Sequence, residues 1–449
     1  MQERLSDHMD VPQKSSSSYF KGTMIPDDNV LVNCMHCGLC LPSCPTYALT
    51  GLEKSSPRGR IRLIKAVADC ELPMTKAFIY EMNFCLDCQA CETACPAGVK
   101  YGSLVEAART QISEQGYEGI VNSIGKKVLL EWLFEQQWRL RAVGRLLRVF
   151  QRFMKQFIQR SRVLAVISVK MEGMLDLAPK ISDSFSSLSL SHHSSPRTAP
   201  RYRVAFLTGC IMDIAYADVN KDTIDLLVYH DCEVVIPKGQ ICCGSLQAHY
   251  GYMETARSMA RNNIIAFEKE SFDYIVLNSA GCGAFMKEYG HVLADDPEFA
   301  ERAEVLSSKV LDVTEFLCKI GYKAGANIHP QASFKGKRVT YHDACHLVHT
   351  QHITKEPRAL LKSFSDYEYV ELPESSWCCG SAGIYNIINF ESSMQVLERK
   401  MANIHSVHPD IIVTANPGCM VQIQYGLQKR GMNVEVLHTA TFLKRCCLG

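Results

Sequence analysis

Eight of the nine cysteines between residues 34 and 95 constrain this chain more than any other feature, because they form two runs with one spacing. Both runs read C-x2-C-x2-C-x3-C-P. The cysteines are Cys34, Cys37, Cys40 and Cys44 in the first run and Cys85, Cys88, Cys91 and Cys95 in the second. Thiolates at this spacing bind iron–sulfur clusters, whereas structural zinc sites use two C-x2-C pairs set well apart. The pattern therefore predicts two [4Fe–4S] clusters.

The fourth cysteine of each run is expected to serve the opposite cluster, as it does in two-cluster ferredoxins. A proline follows Cys44 and another follows Cys95. Because proline fixes φ, we expect a helix to begin beside each of these sulfurs. The predicted ligand sets are Cys34, Cys37, Cys40 and Cys95 for the first cluster and Cys85, Cys88, Cys91 and Cys44 for the second.

A basic segment, Pro57-Arg58-Gly59-Arg60, lies between the two runs. A cluster with four thiolates carries net negative charge, so nearby cations would raise its reduction potential. A solvated start of a basic helix is the other interpretation, and the sequence leaves both open.

The second half of the chain repeats a cysteine pattern. Thirty-one residues separate Cys210 from Cys242-Cys243-Gly244, and 38 residues separate Cys243 from Cys282. In the second copy the intervals are 32 and 39 residues, and the residues are Cys345, Cys378-Cys379-Gly380 and Cys419. Such similar intervals indicate an internal duplication.

Each copy could hold one further cluster on four thiolates. The third candidate set is Cys210, Cys242, Cys243 and Cys282, and the fourth is Cys345, Cys378, Cys379 and Cys419. Adjacent cysteines reach one metal centre only if the chain turns, which Gly244 and Gly380 permit. The segment His342-Asp-Ala-Cys345-His346 suggests a mixed ligand set or a proton relay, because a neutral histidine can bind metal and titrates near neutral pH. His346 is interpreted as a hydrogen-bond donor to a ligand sulfur, with a ligand role as the alternative. Five cysteines outside these patterns are interpreted as small buried residues or spare thiols: Cys70, Cys232, Cys318, Cys446 and Cys447.

The length of 449 residues suggests several domains, and the sequence patterns along the chain suggest their order. Short apolar runs that precede Cys210, Cys282 and Cys419 are typical of parallel strands that deliver ligands at their carboxyl ends. The predicted fold class is mixed α+β and α/β, with a helical two-cluster ferredoxin-type domain followed by a duplicated α/β Cys-Cys-Gly domain. The predicted segments are a flexible lead-in (1–30), the two-cluster domain (31–120), a basic helical segment (121–180), a linker (181–203) and the two Cys-Cys-Gly domains (204–330 and 331–449).

Charge and motif content exclude several classes of function. Lys and Arg total 48 and Asp and Glu total 47, so no global charge favours nucleic acid. No G-x-G-x-x-G or phosphate loop follows a predicted strand, so no flavin or nucleotide is expected in this chain. The polar start and the absence of a long apolar run predict neither a signal peptide nor a membrane-spanning helix. Cytoplasmic thiols held by metal are the interpretation of the 21 cysteines.

The segment from Lys126 to Lys170 carries eleven basic residues against two acidic ones, Glu131 and Glu135. Large apolar residues recur there at helical spacing, from Val143 to Phe157. A basic amphipathic helix can lie on an anionic membrane surface, or it can pack on a partner subunit. The sequence leaves these two alternatives open.

Taken together, these motifs resemble the iron–sulfur subunits of bacterial glycolate oxidase. The most specific stretches are CPTY at 44–47, RNNI at 261–264, SAGCGAFMKEYG at 279–290, CCGSAG at 378–383 and TAN at 414–416. The resemblance implies a membrane-associated complex in which FAD-binding subunits oxidise glycolate to glyoxylate. This chain would pass the electrons to a quinone, peripherally on the inner face of the cell membrane, and catalytic residues for the substrate would lie in another chain.

Three alternatives stay open. Iron–sulfur subunits of D-lactate or glycerol-3-phosphate dehydrogenases would use the same ligands, and a zinc scaffold would have no redox role. The Cys-Cys-Gly domains are also similar to those of heterodisulfide reductases, which would imply disulfide chemistry. In that family each complete motif ends in C-x2-C, but Phe285 and Gln422 stand at the last position here. The resemblance therefore favours a cube on four thiolates.

Overall fold

The computed structural model describes residues 18–22, 24–117, 124–154, 173, 175–322 and 334–448. The predicted fold class is confirmed, because a helical N-terminal domain precedes two α/β units that each contain a parallel sheet. Most of the predicted lead-in, residues 1–17 and 23, lies outside the described residues.

The N-terminal domain is built from short helices around one apolar core. Its helices are Asp28–Val32, Pro45–Thr50, Pro57–Ala68, Lys76–Phe84, Ala90–Thr93 and Tyr101–Glu114, with a 3-10 turn at Glu53–Ser55. Ser56 caps the third helix, since its hydroxyl accepts a hydrogen bond from the Gly59 amide at 3.0 Å. Ile64, Phe78 and Leu104 are fully buried where the helices meet. The cysteine loops are thereby fixed between helices.

The basic helical segment (121–180) forms helices in the part that the structure describes. An α-helix at Gln137–Val149 is flanked by π-type turns at Lys127–Leu133 and Phe150–Met154. Residues 155–172, which include the basic residues from Lys155 to Lys170, lie outside the described residues.

The predicted linker at 181–203 contains regular structure, with a short helix at Ser186–Ser189 and strand β1 at His193–Ser194. Phe185 in this stretch is buried, so part of the linker packs into the first α/β unit.

The first α/β unit has a five-stranded sheet in the order β1-β3-β2-β4-β5. The further strands are β2 Tyr202–Phe206, β3 Cys232–Val235, β4 Tyr274–Leu277 and β5 Val310–Asp312. Only the edge strand β1 is antiparallel. The helices are Ile211–Ala215, Ala217–Tyr229, Ser245–His249, Met253–Phe267, Ala280–Lys287, Tyr289–Val292, Ala300–Ser308 and Val313–Lys319.

The second unit repeats this topology with four parallel strands in the order β7-β6-β8-β9. The strands are β6 Arg338–Tyr341, β7 Glu368–Tyr369, β8 Ile411–Thr414 and β9 Glu435–His438. The helices are Lys355–Leu361, Tyr385–Ile388, Phe390–Val407, Pro417–Lys429 and Thr439–Leu448, with a π-type turn at His346–Thr350. This order matches β3-β2-β4-β5 strand for strand, as expected for two copies of one ancestral unit.

The strand order places the cysteines at a topological switch point. The chain leaves β2 for β3 on one side and later returns to β4 on the other, so a crevice opens at the carboxyl ends of these strands. The two units face each other across this edge. The amide of Ala280 donates to the carbonyl of Ala415 at 3.1 Å, and Nε2 of His438 lies 2.7 Å from the carbonyl oxygen of Asn278.

Candidate metal centres

The first cysteine run forms a loop whose sulfurs face a surface cavity. Cys37 is exposed, while Cys34, Cys40 and Cys95 are half-buried. The residues that line the cavity include Cys34, Cys37, Cys40 and Cys95, together with Arg58, Pro96 and Tyr101. Cys91 also reaches the cavity wall. The structure thus brings together the set that the sequence assigns to the first cluster, and it places the second run beside it.

The second set lies deeper in the protein. Cys44, Cys88 and Cys91 are buried, and Cys85 is half-buried. The charges of Cys44 and Cys85 act on both Cys88 and Cys91, so all four sulfurs share one neighbourhood. Burial raises the pKa of Cys88 and Cys91 well above the ordinary thiol value. Both thiols therefore hold their protons until a metal centre displaces them.

The two loops have the same backbone pattern. His36 and Gly38 adopt positive φ in the first loop, and Asp87 and Gln89 do so at the matching positions of the second. The fourth cysteines differ from the expectation, however. Cys44 directly precedes the helix Pro45–Thr50, but no helix starts at Cys95, because the chain turns there and the next helix starts at Tyr101.

The segment Pro57-Arg58-Gly59-Arg60, between the two cysteine runs, reaches both N-terminal cysteine sets. Arg60 is fully buried, and its Nη2 donates to Oγ1 of Thr46 at 3.0 Å. That hydroxyl lies 3.3 Å from the sulfur of Cys44. Glu81 balances the charge, with an oxygen 3.5 Å from the guanidinium. The interpretation of a wholly solvated helix start is therefore wrong for Arg60, although Arg62 on the same helix is exposed.

In the first α/β unit, the four predicted sulfurs form one continuous group. The thiols interact in a series, Cys210 with Cys242, Cys242 with Cys243, and Cys243 with Cys282. Cys242 and Cys243 are fixed by their carbonyls, which accept hydrogen bonds from Asn263 at 3.0 Å and from the Tyr289 hydroxyl at 2.6 Å. The crevice at the switch point is therefore lined by sulfur.

The second unit repeats the arrangement. Cys345 interacts with Cys378 and Cys378 with Cys379, and the thiol of Cys379 donates to the sulfur of Cys419 at 3.5 Å. Gly380 has a φ of 94° at the turn that follows, and Gly244 has 95° in the first copy. A Cβ on Gly380 would lie 2.6 Å from the carbonyl oxygen of Ser393, so this turn requires glycine.

Gln422 and Phe285 stand at the positions where a fifth cysteine ligand is missing, and both contribute to packing. Gln422 is fully buried, accepts a hydrogen bond from Asn386 at 3.0 Å and donates to Ser393 at 2.9 Å. Phe285 is buried, and its ring stacks edge-on against Tyr289 with centroids 5.6 Å apart. Both side chains stabilise packing beside the sulfurs and offer no ligand atom to them.

The second cluster loop packs directly on the second Cys-Cys-Gly site. Cys88, Ala90, Trp377, Cys378 and Tyr385 belong to one buried apolar group, against which Cys345 also packs. Polar contacts join the same surfaces: Thr93 Oγ1 lies 2.9 Å from Nδ1 of His349, and Thr350 donates to Gln89 at 2.7 Å. Direct contacts thereby hold two candidate metal centres against each other.

Three histidines lie near the sulfurs, and the sequence singles out two of them, His342 and His346. His346 was expected to donate to a ligand sulfur, but its Nδ1 lies 3.2 Å from Thr350 Oγ1 and its ring lies 4.8 Å from that of His249. His249 binds the carboxylate of Asp87 in the second cluster loop. His342 lies beside Cys379 and Cys419. Comparison of the two copies could also have singled out His342, because the first copy has Leu207 at the same position.

The remaining cysteines pack as predicted in part. Cys232, Cys446 and Cys447 are buried apolar residues, and Cys447 also lies 2.8 Å from the Tyr322 hydroxyl. Cys70 and Cys318 are half-buried. None of the five belongs to a sulfur group among the described residues.

Family models match most of the chain. Residues 31–99 match a 4Fe-4S dicluster domain, and residues 204–287 and 339–424 match a cysteine-rich domain. Residues 122–178 match the linker region of the glycolate oxidase iron-sulfur subunit. These matches support iron–sulfur clusters as the cofactors of the N-terminal domain, and the grouped, buried thiols described above fit such clusters.

Curated relatives agree with the family models. A "Probable glycolate oxidase iron-sulfur subunit" of Bacillus subtilis (strain 168) is 39% identical over 441 residues, covering 96% of each chain. The glycolate oxidase iron-sulfur subunit of Escherichia coli (strain K12) is 30% identical, covering 88% of this chain and 90% of its own length. Lactate utilization protein A of Shouchella clausii is 33% identical but covers only 54% of this chain. The chain therefore belongs to the family of glycolate oxidase iron–sulfur subunits.

Proposed function

We propose that this chain is the electron-transfer subunit of a glycolate-oxidising complex, carrying electrons from FAD-binding partner subunits to a quinone. One observation carries the proposal: sulfur groups at four places are connected through buried contacts, from an exposed loop to the α/β core. Iron–sulfur clusters supply one-electron transfer, and the residues of this chain bind them, exclude water and set the charge around them. Oxidation of glycolate to glyoxylate would then take place in a partner.

The proposed ligands are the predicted ones. Cys34, Cys37, Cys40 and Cys95 would hold one [4Fe–4S] cluster, and Cys44, Cys85, Cys88 and Cys91 the second. The two Cys-Cys-Gly groups would hold one cluster each. The first run is the most accessible group, since Cys37 is exposed and its neighbours Met35 and Leu39 are also exposed. An external electron donor could approach there.

A D-lactate dehydrogenase is the second candidate function. It is favoured by the similarity to lactate utilization protein A, which aligns over 98% of that protein's length. The ligands would be the same for either substrate, so the partner decides between them. A complex that is reduced by D-lactate and not by glycolate would select this alternative.

The basic helical segment supports a peripheral contact with the inner face of the cell membrane. Exposed large apolar residues follow one another along it: Ile124, Val128, Trp132, Trp138, Leu146, Leu147, Val149 and Phe153. Lys127, Arg145 and Arg152 are exposed among them. Apolar side chains with basic neighbours suit the anionic surface of the cytoplasmic leaflet. Among the described helices, none combines the length and the apolar character needed to cross a bilayer.

The decisive experiment is anaerobic purification with the FAD-binding partner, followed by iron and sulfide analysis and EPR. We expect about sixteen irons per chain if all four groups are filled, or about eight if only the N-terminal pair is, because each cube holds four. Glycolate should reduce the clusters in the complex and leave the isolated chain unchanged. Zinc without acid-labile sulfide, or oxidation of glycolate by the isolated chain, would refute the proposal.

A further inference from the structure

His342 is the last residue before the sulfur-lined crevice of the second unit. It directly follows β6, three positions before Cys345, and it is 1% exposed. The corresponding residue of the first unit, three positions before Cys210, is Leu207, which is also buried. At this buried position beside the sulfur groups, the first copy thus has an aliphatic side chain and the second copy has an imidazole.

The imidazole of His342 converges with two sulfurs. One ring nitrogen and the sulfurs of Cys379 and Cys419 all lie within 4.8 Å of one another. Neither ring nitrogen has a hydrogen-bond partner within the described part of the chain. The backbone of Ser375 lies close to the ring but outside hydrogen-bonding geometry, and its carbonyl already accepts from Lys400 at 3.0 Å and from the Asp343 amide at 3.2 Å.

An unpartnered buried imidazole needs an explanation. A buried polar group without a partner is unfavourable, because it loses its hydrogen bonds to water and gains none in the protein. Other buried histidines of the same unit use at least one ring nitrogen: His438 uses both, with the Asn278 carbonyl at 2.7 Å and the Ala440 amide at 3.1 Å, and His349 uses Nδ1, which lies 2.9 Å from Thr93 Oγ1. His342 is the exception, and it lies where a metal centre is expected.

We propose that His342 is a nitrogen ligand of the iron–sulfur centre held by Cys345, Cys378, Cys379 and Cys419. The first Cys-Cys-Gly centre would then have sulfur ligands only, and the second a mixed set of sulfur and nitrogen. His342 would be a fifth donor beside the four thiolates. Imidazole is neutral whereas thiolate is negative, so a thiolate at this position would add negative charge and lower the potential of the centre. This inference rests on the proposed function to the extent that the group must hold iron.

Pulsed EPR on the anaerobically purified full chain tests the ligand directly. Protein labelled with ¹⁵N-histidine should show a coupled nitrogen whose signal differs from that of unlabelled protein. His342→Ala should lose this coupling, and so should Cys378→Ser, which removes a sulfur of the same centre. His438→Gln, a substitution at a buried but fully bonded histidine, should retain it.

The reduction potential of the second Cys-Cys-Gly centre gives a second readout, which does not require a variant without a ligand atom at position 342. In His342→Cys the ratio of reduced to oxidised second centre at a fixed potential should fall at least tenfold, about 59 mV for one electron. The signals of the two N-terminal clusters should not change. This variant keeps a ligand at the position, so it serves if His342→Ala does not fold.

Three results would overturn the inference. They are wild-type protein without a histidine coupling in either redox state, a coupling that persists in His342→Ala, and zinc in place of iron in this group. Iron and sulfide analysis of the same samples separates these results from failure of the proposed function. A chain whose N-terminal clusters are present but whose histidine coupling is absent refutes only the role of His342.

Discussion

Arg58 and Arg60 leave the same helix but serve different cysteine loops. Arg60 is buried against Thr46 and Glu81 beside the second set. Arg58 lines the cavity of the first set, and its Nη1 donates to the carbonyl of His36 at 2.8 Å. A positive side chain is therefore placed at each N-terminal group, which favours reduction of a negatively charged cluster.

Replacement of Arg58 by Gln should lower the potential of the first cluster. The variant loses a positive charge and leaves Glu53, which pairs with Arg58 at 2.6 Å, uncompensated. The shift should be small and should shrink as ionic strength rises, because the charge of Arg58 is screened by solvent. A redox titration followed by EPR measures the shift. Arg62→Gln on the same helix is the control, since Arg62 pairs with Glu71 on the surface; equal shifts in both variants would contradict a local effect.

Residues that act through local spacing could be predicted, whereas residues that act through tertiary contact could not. The x2 spacing alone indicates that Cys34, Cys37 and Cys40 surround one site, because three positions in a tight loop suffice to place them. The spacing to Cys345 draws attention to His342, but only the packing of β6 beside β8 brings it to Cys419. Gln422 was expected only as a missing ligand, and its hydrogen bonds depend on the helix Phe390–Val407.

At the level of elements, the helix Ser245–His249 connects the first α/β unit to the second cluster loop. Nδ1 of His249 lies 2.9 Å from a carboxylate oxygen of Asp87 and 2.8 Å from one of Glu106. Arg109 Nη1 also donates to the carbonyl of His249 at 2.8 Å. Two charged partners from the ferredoxin-type domain thus hold one side chain of the α/β unit.

His249→Ala should weaken this junction. Burial acts to lower the pKa of His249, but hydrogen bonds to Asp87 and Glu106 outweigh it and raise the value to about 10. A raised pKa means that the stabilisation is complete below the ordinary value of 6.5 and is lost as pH rises through about 10. We expect a loss of about 3 kcal/mol at neutral pH, the lower end for a buried pair broken on one side.

Urea unfolding of the cluster-loaded protein, followed by cluster absorbance, measures this loss. The difference between wild type and His249→Ala should shrink between pH 7 and pH 10. His405→Ala is the control, because His405 is exposed and its ring contacts only another histidine, His408, among the aromatic contacts described. Equal midpoints for wild type and His249→Ala at pH 7 would contradict the prediction.

The elements themselves were predictable where an apolar run ends in cysteine. The run at 274–277 is β4 with the same bounds, and 411–413 lies within β8. Strand β1 was not predicted, because His193 and Ser194 carry no strand pattern and pair only through the edge of β3. The segment was interpreted as a linker from its Ser and Pro content, which describes composition and not tertiary pairing.

At the scale of the whole molecule, the sulfur groups follow one route of contact. The first loop lies on the surface and shares a cavity wall with Cys91 of the second run. The second loop packs on Cys378 of the second α/β unit. Cys379 and Cys242, from the two α/β units, belong to one apolar core, which also includes Phe134 of the basic segment. The basic segment therefore covers the core that holds the last sulfur groups of the route.

The exposed face of the basic helical segment is predicted to bind the membrane surface. Trp138 and Leu146 are 61% and 71% exposed and lie on one side of the helix Gln137–Val149, with Arg145 between them. Burial of each large apolar side chain contributes about 1.5–3 kcal/mol. The double variant Trp138→Ser, Leu146→Ser should therefore bind vesicles that contain anionic lipid at least tenfold more weakly in a flotation assay. Raised salt should weaken the binding of the wild type as well.

The matched control is Leu188→Ser with Val305→Ser, which removes two exposed apolar residues outside the basic segment, 58% and 54% exposed. It should bind vesicles like the wild type. In the complex, the Trp138 and Leu146 variant should still be reduced by glycolate, but its electron transfer to a membrane-embedded quinone should slow, because only the approach to the bilayer is impaired. If vesicle binding is unchanged and the FAD-binding partner is lost instead, this face contacts a subunit and the membrane proposal is wrong.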